Sequence, residues 1–200
     1  FTVEAWINPA NVSQNARIVA KGHTGAEGTY QLAINTNGKL RLGFYNSGVE
    51  SEPNVIQPNI WQHLLLIREG DLVKGYVNGI EVINYTNSLD LTSAQNLVIG
   101  YEPGYSSWFN GIIDEVTVWS RALTQEDIQD RMYRALHPAE EDSLVGYWRM
   151  DKGSGTTAID LSGSGNHGTI SGASFSDEVM LFVPRATLST IVSSPTNLTP

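Results

Sequence analysis

Hydrophobic and polar residues alternate in short runs over about the first 120 residues of the chain. In the first run, Val3, Ala5 and Ile7 share one side while residues of the other parity point away, which is the period of a β-strand. Comparable runs follow at 30–34, 40–45, 61–67, 72–77, 80–83, 97–100 and 111–119. Strands this short and this closely spaced are typical of an antiparallel sandwich or jelly roll.

Turn residues separate several of these runs. Asn37-Gly38 lies between the runs 30–34 and 40–45, and Asn78-Gly79 lies between the runs 72–77 and 80–83. Asn and Gly both tolerate a positive φ, which two-residue hairpin turns require. The segment 68–71 separates another pair of runs. The sequence therefore predicts three antiparallel hairpins.

The segment 124–136 has a different, helical pattern. Thr124 offers a hydroxyl to cap a helix, and Asp127 follows three residues later, close to a capping box. Three apolar residues then occur at helical spacing: Ile128, Met132 and Leu136. His137-Pro138 ends the segment, so we predict one short helix over 124–136.

Strand character returns late in the chain and then gives way to a different composition. Residues 144–150 and 169–175 form strand-like runs on either side of a Gly-rich stretch. After residue 175 there is a short apolar run, 180–183, and then a Ser/Thr/Pro-rich end. We expect 176–200 to be a linker or a tail to a following region.

Composition and charge exclude several classes of function. The 200 residues carry a net charge of −9, with a pI near 4.8, and contain no cysteine. An acidic chain is a poor nonspecific ligand for nucleic acid or for an anionic membrane surface, and no apolar run approaches the ~18 residues of a membrane span. Disulfides, thiolate zinc sites and cysteine nucleophiles are excluded.

Several motifs resemble those of one family. FTVEAWINP at 1–9, FNGIIDEV at 109–116, RALT at 121–124, and GYW at 146–148 with NHG at 166–168 are similar to laminin-G-like, concanavalin A-like jelly-roll domains of bacterial surface proteins. They occur in the family's order. The resemblance implies an all-β antiparallel two-sheet sandwich with one short helix. It also implies an extracellular or cell-surface setting.

The resemblance also suggests where the domain ends and how it differs from its relatives. We expect one domain over 1–175, completed by the late strands of 144–175, because a lone three-strand fragment would expose unpaired edges. Many relatives begin with an additional strand before FTVEAW, and nothing in this chain matches it. One sheet edge is therefore expected to be open.

The loop 160–168 is a candidate calcium site. Calcium takes ~6–8 oxygen ligands, and a Gly-rich loop with acidic, hydroxyl and amide side chains can supply several of them. In similar domains this loop and the strand that begins at Asp114 approach each other around a structural calcium. The expected metal residues are Asp114, Asp160, Ser162, Gly163, Asn166 and Gly168. The alternative is that Asp160 and Asn166 only satisfy backbone groups of a turn.

A second candidate site lies in the loop 101–109. Tyr101, Tyr105 and Trp108 could stack on the faces of sugars, and loops at the end of a sandwich are common binding positions. The alternative is that Trp108 and Phe109 pack the loop onto the core.

Catalysis has little support in the sequence. Glucanases of this fold carry closely spaced carboxylates on one face of a strand. Asp114 and Glu115 are adjacent, so a regular strand would direct them to opposite faces, and no acid follows two residues later. The histidines lack metal-binding spacing, and nucleophile-elbow and phosphate-loop motifs are absent.

These observations lead to three functional hypotheses. The first is a non-catalytic extracellular recognition or adhesion module, calcium-stabilised, that contacts carbohydrate or a protein ligand. The second is a structural building block of a surface layer or filament, self-associating through the open sheet edge and the apolar run 180–183. A glycoside hydrolase ranks third.

Overall fold

The computed structural model describes residues 1–22, 28–102, 108–151, 153–178, 180 and 182. Within these residues two large antiparallel sheets and one small two-stranded sheet form. The six-stranded sheet has the order β11-β10-β1-β6-β7-β8, and the five-stranded sheet has the order β5-β4-β3-β2-β9. The strands are β1 Thr2–Pro9, β2 Ala16–Lys21, β3 Tyr30–Asn35, β4 Lys39–Phe44, β5 Ser47–Glu50, β6 Gln62–Glu69, β7 Leu72–Val77, β8 Ile80–Thr86, β9 Leu97–Ile99, β10 Gly111–Trp119, β11 Leu144–Trp148, β12 Thr157–Ala158 and β13 Gly168–Thr169.

The main core lies between the two large sheets. In regular strands, apolar residues of one parity enter it, including Val3, Ala5 and Ile7 of β1 and Leu32 and Ile34 of β3. Each of these five side chains is almost fully buried. The two-residue period of the sequence is thus the period of this packing, and the predicted all-β sandwich is confirmed.

The predicted hairpin turns are also confirmed. Asn37 and Gly38 have φ values of 63° and 64° in a short 3₁₀ turn between β3 and β4. Asn78 and Gly79 have φ values of 50° and 75° between β7 and β8. These residue types make the positive φ cheap, so the register of both hairpins is set locally.

One helix, α1 (Gln125–Arg131), covers part of the outer face of the six-stranded sheet. Thr124 and Asp127 form the capping box that their spacing predicted. The helix ends at Arg131, five residues before the predicted end at 136. A second core forms beneath it from apolar and aromatic residues: Leu65, Ile67, Tyr76, Trp119, Leu123, Ile128, Leu136, Leu144 and Tyr147.

The two edges of the six-stranded sheet differ. The outer edge of β11 is covered by the loop 160–166, because Leu161 N donates to Tyr147 O and Ser162 Oγ donates to Val145 O. At the other edge, β8 carries the exposed side chains Ile80 and Tyr85. Only the β11 edge is therefore capped by a neighbouring loop among the described residues.

The described part of the chain contains no helix with the length and apolar character needed to cross a membrane.

Candidate functional site

A stacked aromatic pair, the half-buried Tyr101 and the exposed Trp108, follows β9. The rings of Tyr101 and Trp108 are stacked, with centroids 4.1 Å apart and an interplanar angle of 21°. Trp108 is 55% exposed, whereas the neighbouring Phe109 packs against the main core. The loop therefore combines both behaviours considered from its sequence: Phe109 anchors it and Trp108 faces solvent. Tyr105 lies outside the described residues.

A buried ion pair fixes this loop to the five-stranded sheet. Glu102, next to Tyr101, is fully buried, and its Oε2 lies 2.8 Å from Nη2 of Arg17 on β2. Gln31 on β3 donates from Nε2 to Glu102 Oε1 over 2.8 Å. Gln31 alternates with core residues of β3, so this contact is on the sheet face turned away from the main core. Tyr101 thus adjoins a residue that is fixed to the sheet.

A β-bulge shapes the second candidate site. The pairing of β1 with β10 shifts register between Glu4 and Trp6, and Glu115 has a φ of 51°. An extra residue in one strand of a pair redirects the side chains beside it. The expectation that Asp114 and Glu115 point to opposite faces is therefore wrong, because it assumed a regular strand.

Three carboxylates converge at this bulge. Asp114, Glu115 and Asp151 each bring one oxygen within 4.8 Å of the others, and we call them the acidic cluster. Asp114 and Glu115 are buried, while Asp151 is exposed. Arg149 lies beside them, with Nε 3.3 Å from Glu115 and Nη2 2.7 Å from Asp151. Oxygen ligands of this kind could hold a metal ion such as calcium.

Burial changes the acidity of this cluster. Burial raises the pKa of Glu115 to about 7, and the nearby charge of Asp114 adds to the increase. The hydrogen bond from the Tyr147 hydroxyl acts in the opposite direction but is outweighed. Burial also raises the pKa of Asp114, although backbone N–H groups of Met180 and Glu115 donate to its carboxylate. Two adjacent buried charges are costly, so a proton or a cation is favoured here.

Asp160 has a different environment. Its carboxylate accepts from the backbone N–H groups of Tyr147, Ser162 and Asn166 at 2.8–2.9 Å. Burial opposes ionisation, but these hydrogen bonds outweigh it and lower the pKa of Asp160. The Asn166 side chain donates to Val145 O. Asp160 thus orders the loop and ties it to β11.

The expected metal residues therefore divide into two groups. Asp160, Ser162 and Asn166 lie together in the loop, where Gly163 has a φ of 88°, and Gly168 pairs with Ala158 in the small sheet. Asp114 instead belongs to the acidic cluster, which does not include Asp160. Sequence reasoning did not select Glu115 or Asp151 as ligands. The one feature of the sequence that indicated them was their position, since Glu115 follows Asp114 and Asp151 comes shortly after β11.

A buried polar network lies next to the acidic cluster under α1. Glu4 accepts hydrogen bonds from Thr117 and Trp119, and His63 Nε2 lies 3.1 Å from its carboxylate. Burial would raise the pKa of Glu4, but these contacts outweigh it and lower the pKa. Glu4, His63 and Glu115 line a cavity of about 20 Å³. That volume suits about one water molecule.

The sequence comparison is decisive at family level. Residues 1–129 match the model of the concanavalin A-like lectin/glucanases superfamily. The chain belongs to this superfamily. The matched region contains both sheets up to β10 together with most of α1, so the resemblance inferred from the motifs is confirmed.

Solved structures with this fold include carbohydrate-binding proteins. A candidate carbohydrate-binding protein from Bacteroides ovatus is 24% identical, with a TM-score of 0.69 over 88% of this chain and 54% of its own. This chain thus spans about half the length of that protein. Domain 4 of an extracellular GH43 arabinanase from Geobacillus stearothermophilus, in complex with arabinotriose, is 23% identical (TM-score 0.53, 64% of each chain).

A third similar structure is a sialidase module. The CBM40 of the Ruminococcus gnavus IT-sialidase, bound to α2,3-sialyllactose, is 15% identical, with a TM-score of 0.54 over 63% of this chain and 78% of its own. At these identities the three likenesses establish the shared fold. The group contains binding modules as well as a domain of a hydrolase, so the fold by itself does not decide between binding and catalysis.

Proposed function

We propose that this chain is a non-catalytic, extracellular carbohydrate-recognition module, calcium-stabilised, that serves in adhesion or substrate targeting. Its domain spans 1–175, completed by the late strands of 144–175. The observation that carries the proposal is the stacked aromatic pair, in which Trp108 is exposed and Tyr101 is half-buried, beside the buried Glu102. The similar carbohydrate-binding structures and the extracellular arabinanase domain support it.

The geometry of the aromatic pair suits a sugar ring. An exposed indole offers a flat apolar face with little conformational entropy to lose, and Tyr101 backs it at 4.1 Å. A pyranose or furanose ring presents C–H groups to such a face. The buried ion pair of Glu102 with Arg17 holds the residue next to Tyr101 in place, which reduces the cost of ordering Tyr101 on binding.

The acidic cluster supports a cation rather than catalysis. A glycoside hydrolase places two carboxylates on either side of a bound sugar. The space beside Glu115 is about 20 Å³, whereas ligand pockets usually exceed ~300 Å³. Arg149 also forms ion pairs with two of the carboxylates, those of Glu115 and Asp151. We assign the cluster to calcium, which would relieve the repulsion between Asp114 and Glu115.

Binding of oligosaccharides tests the proposal. Isothermal titration of the full chain would use arabinotriose, 3′-sialyllactose, cellotetraose and laminaritetraose, with product analysis after incubation. Trp108→Ala should weaken binding at least tenfold. Tyr133→Ala is the matched control, since Tyr133 is 53% exposed and Trp108 is 55% exposed, and it should leave binding within twofold. Absence of binding to all four sugars, unchanged binding by Trp108→Ala, or release of hydrolysis products would overturn it.

A second candidate function, a self-assembling surface block, is favoured by one observation. The β8 edge carries Ile80, 68% exposed, and Tyr85, 42% exposed, whereas the loop 160–166 covers the β11 edge. Uncovered strand edges can pair with another chain. Light scattering should show an assembly that Ile80→Lys disrupts, and a monomer at all concentrations would reject this candidate.

A further inference from the structure

Three residues beyond 175 contact the outer face of the six-stranded sheet. Asn8 Nδ2 donates to Glu178 Oε1 over 2.6 Å, and the backbone N–H of Met180 donates to Asp114 Oδ2 over 3.0 Å. Phe182 lines the cavity beside Trp6 and His63. These contacts occur at every second residue. We call Glu178, Met180 and Phe182 the C-terminal contact residues.

The surface that they contact is a groove between the outer face of β1 and the residues that follow α1. Trp6 and Asn8 of β1 alternate with the core residues of that strand, so both lie on its outer face. Met132 and Leu136, which follow α1, form the other wall and are more than 90% buried. We call this surface the outer groove. Apolar and polar side chains both line the part where Phe182 lies, and a carboxylate acceptor is present where the N–H of Met180 lies.

From this arrangement we propose that the outer groove is a recognition site for a peptide segment, and that the chain's own C-terminal contact residues occupy it in cis. Recognition rests on three elements: a bulky aromatic side chain, a backbone N–H two residues earlier, and an acidic side chain two residues before that. Peptide recognition commonly combines main-chain hydrogen bonds with contacts to side chains.

Two physical features favour this occupant. Asp114 is buried, and a buried carboxylate requires hydrogen-bond donors. It accepts hydrogen bonds from the backbone N–H groups of Glu115 and Met180. With Phe182 in place the remaining cavity is about 20 Å³, so the aromatic ring leaves room for about one water molecule. The proposal does not depend on a carbohydrate ligand, whereas it shares Asp114 with the calcium site proposed above.

The test uses the full chain and a labelled synthetic peptide with the sequence of residues 176–184. In the Phe182→Ala chain the groove loses its aromatic occupant. Fluorescence anisotropy should then show binding of the peptide at least tenfold tighter than to the unmodified chain. A peptide in which the same Phe is replaced by Ala should not bind. Ile80→Ala is the control for an apolar truncation elsewhere, and its chain should behave as the unmodified one.

Backbone exchange and oligomeric state complete the test. The backbone amide of residue 180 should be protected from hydrogen exchange in the unmodified chain, in Met180→Ala and in Ile80→Ala. In Phe182→Ala the protection factor of this amide should fall at least tenfold. Light scattering should give the same mass for the unmodified and the Phe182→Ala chains. Equal peptide affinity of the unmodified and Phe182→Ala chains, an unprotected Met180 amide, or a dimer that Phe182→Ala dissociates would overturn occupation in cis.

Discussion

Asp114 and Glu115 are consecutive residues of β10, yet their carboxylates lie within 4.8 Å of each other and of Asp151. The bulge in β10 and the positive φ of Glu115 produce this geometry. A non-glycine residue with φ near 51° is strained. The surrounding pairing with β1 and β11 holds it in place, so the cluster depends on the sheet as a whole.

Stability should fall as the pH rises from about 5 to 7. The folded state keeps a proton on Glu115 up to about pH 7, whereas the ordinary value is 4.5, so the folded state binds more protons in this interval. The difference corresponds to roughly 3 kcal/mol. Urea unfolding across this range should show the decrease in the free energy of unfolding.

Glu115→Gln is the variant that isolates this effect. It keeps a side-chain oxygen for the Tyr147 hydroxyl and removes the titration, so most of the slope between pH 5 and 7 should disappear. Glu52→Gln, at an exposed position, should leave the slope unchanged. A slope that persists in Glu115→Gln would show that another group causes it.

Calcium should raise the melting temperature, and more strongly at pH 7.5 than at pH 5. Ligation requires ionised carboxylates, and below pH 7 a proton competes for Glu115. At a calcium concentration 100 times the dissociation constant, binding stabilises by about 2.7 kcal/mol, or roughly 5–10 °C for a domain of this size. Scanning calorimetry with calcium and with chelator measures the shift.

Two Asp→Asn variants distinguish the acidic cluster from the loop as the calcium site. Asp114→Asn should lose most of the calcium-dependent shift. Asp160→Asn should be less stable by about 1–3 kcal/mol, because its backbone donors lose a charged acceptor, but should keep the shift. The reverse result would place calcium in the loop 160–168, and equal melts with calcium and chelator would remove the metal altogether.

Glu102→Gln should destabilise the domain by about 3 kcal/mol. The substitution removes the negative charge that lies 2.8 Å from the buried guanidinium of Arg17. Glu81→Gln is the matched control, since Glu81 pairs with Lys74 at 3.3 Å on the surface, and it should cost less than ~1 kcal/mol. Urea unfolding measures both. Equal costs would mean that the ion pair does not anchor the loop.

Gly38→Ala should be more destabilising than Gly70→Ala. Both glycines have a positive φ, but a Cβ at Gly38 would lie 2.2 Å from the backbone oxygen of Ile56, whereas a Cβ at Gly70 meets nothing within 4 Å. We expect about 1 kcal/mol for Gly70→Ala from the backbone conformation alone, and more than ~2 kcal/mol for Gly38→Ala. Similar values would show that the turn relaxes freely.

The sequence by itself determined the features that depend on neighbouring residues. Alternation placed Val3, Ala5 and Ile7 in the core because side-chain direction in a regular strand follows parity. Asn37-Gly38 fixed a turn because both residues accept a positive φ, and Thr124 with Asp127 capped a helix within four residues. Each result requires only local backbone preferences.

Tertiary structure decided the features that join distant segments. The bulge at Glu115 depends on the register with β1, and the burial of Glu102 depends on Arg17 of another strand. The acidic cluster forms because β11 pairs with β10 and brings Asp151 to Asp114. Such convergence reflects pairing and burial over long separations in sequence, which the local pattern of residues does not encode.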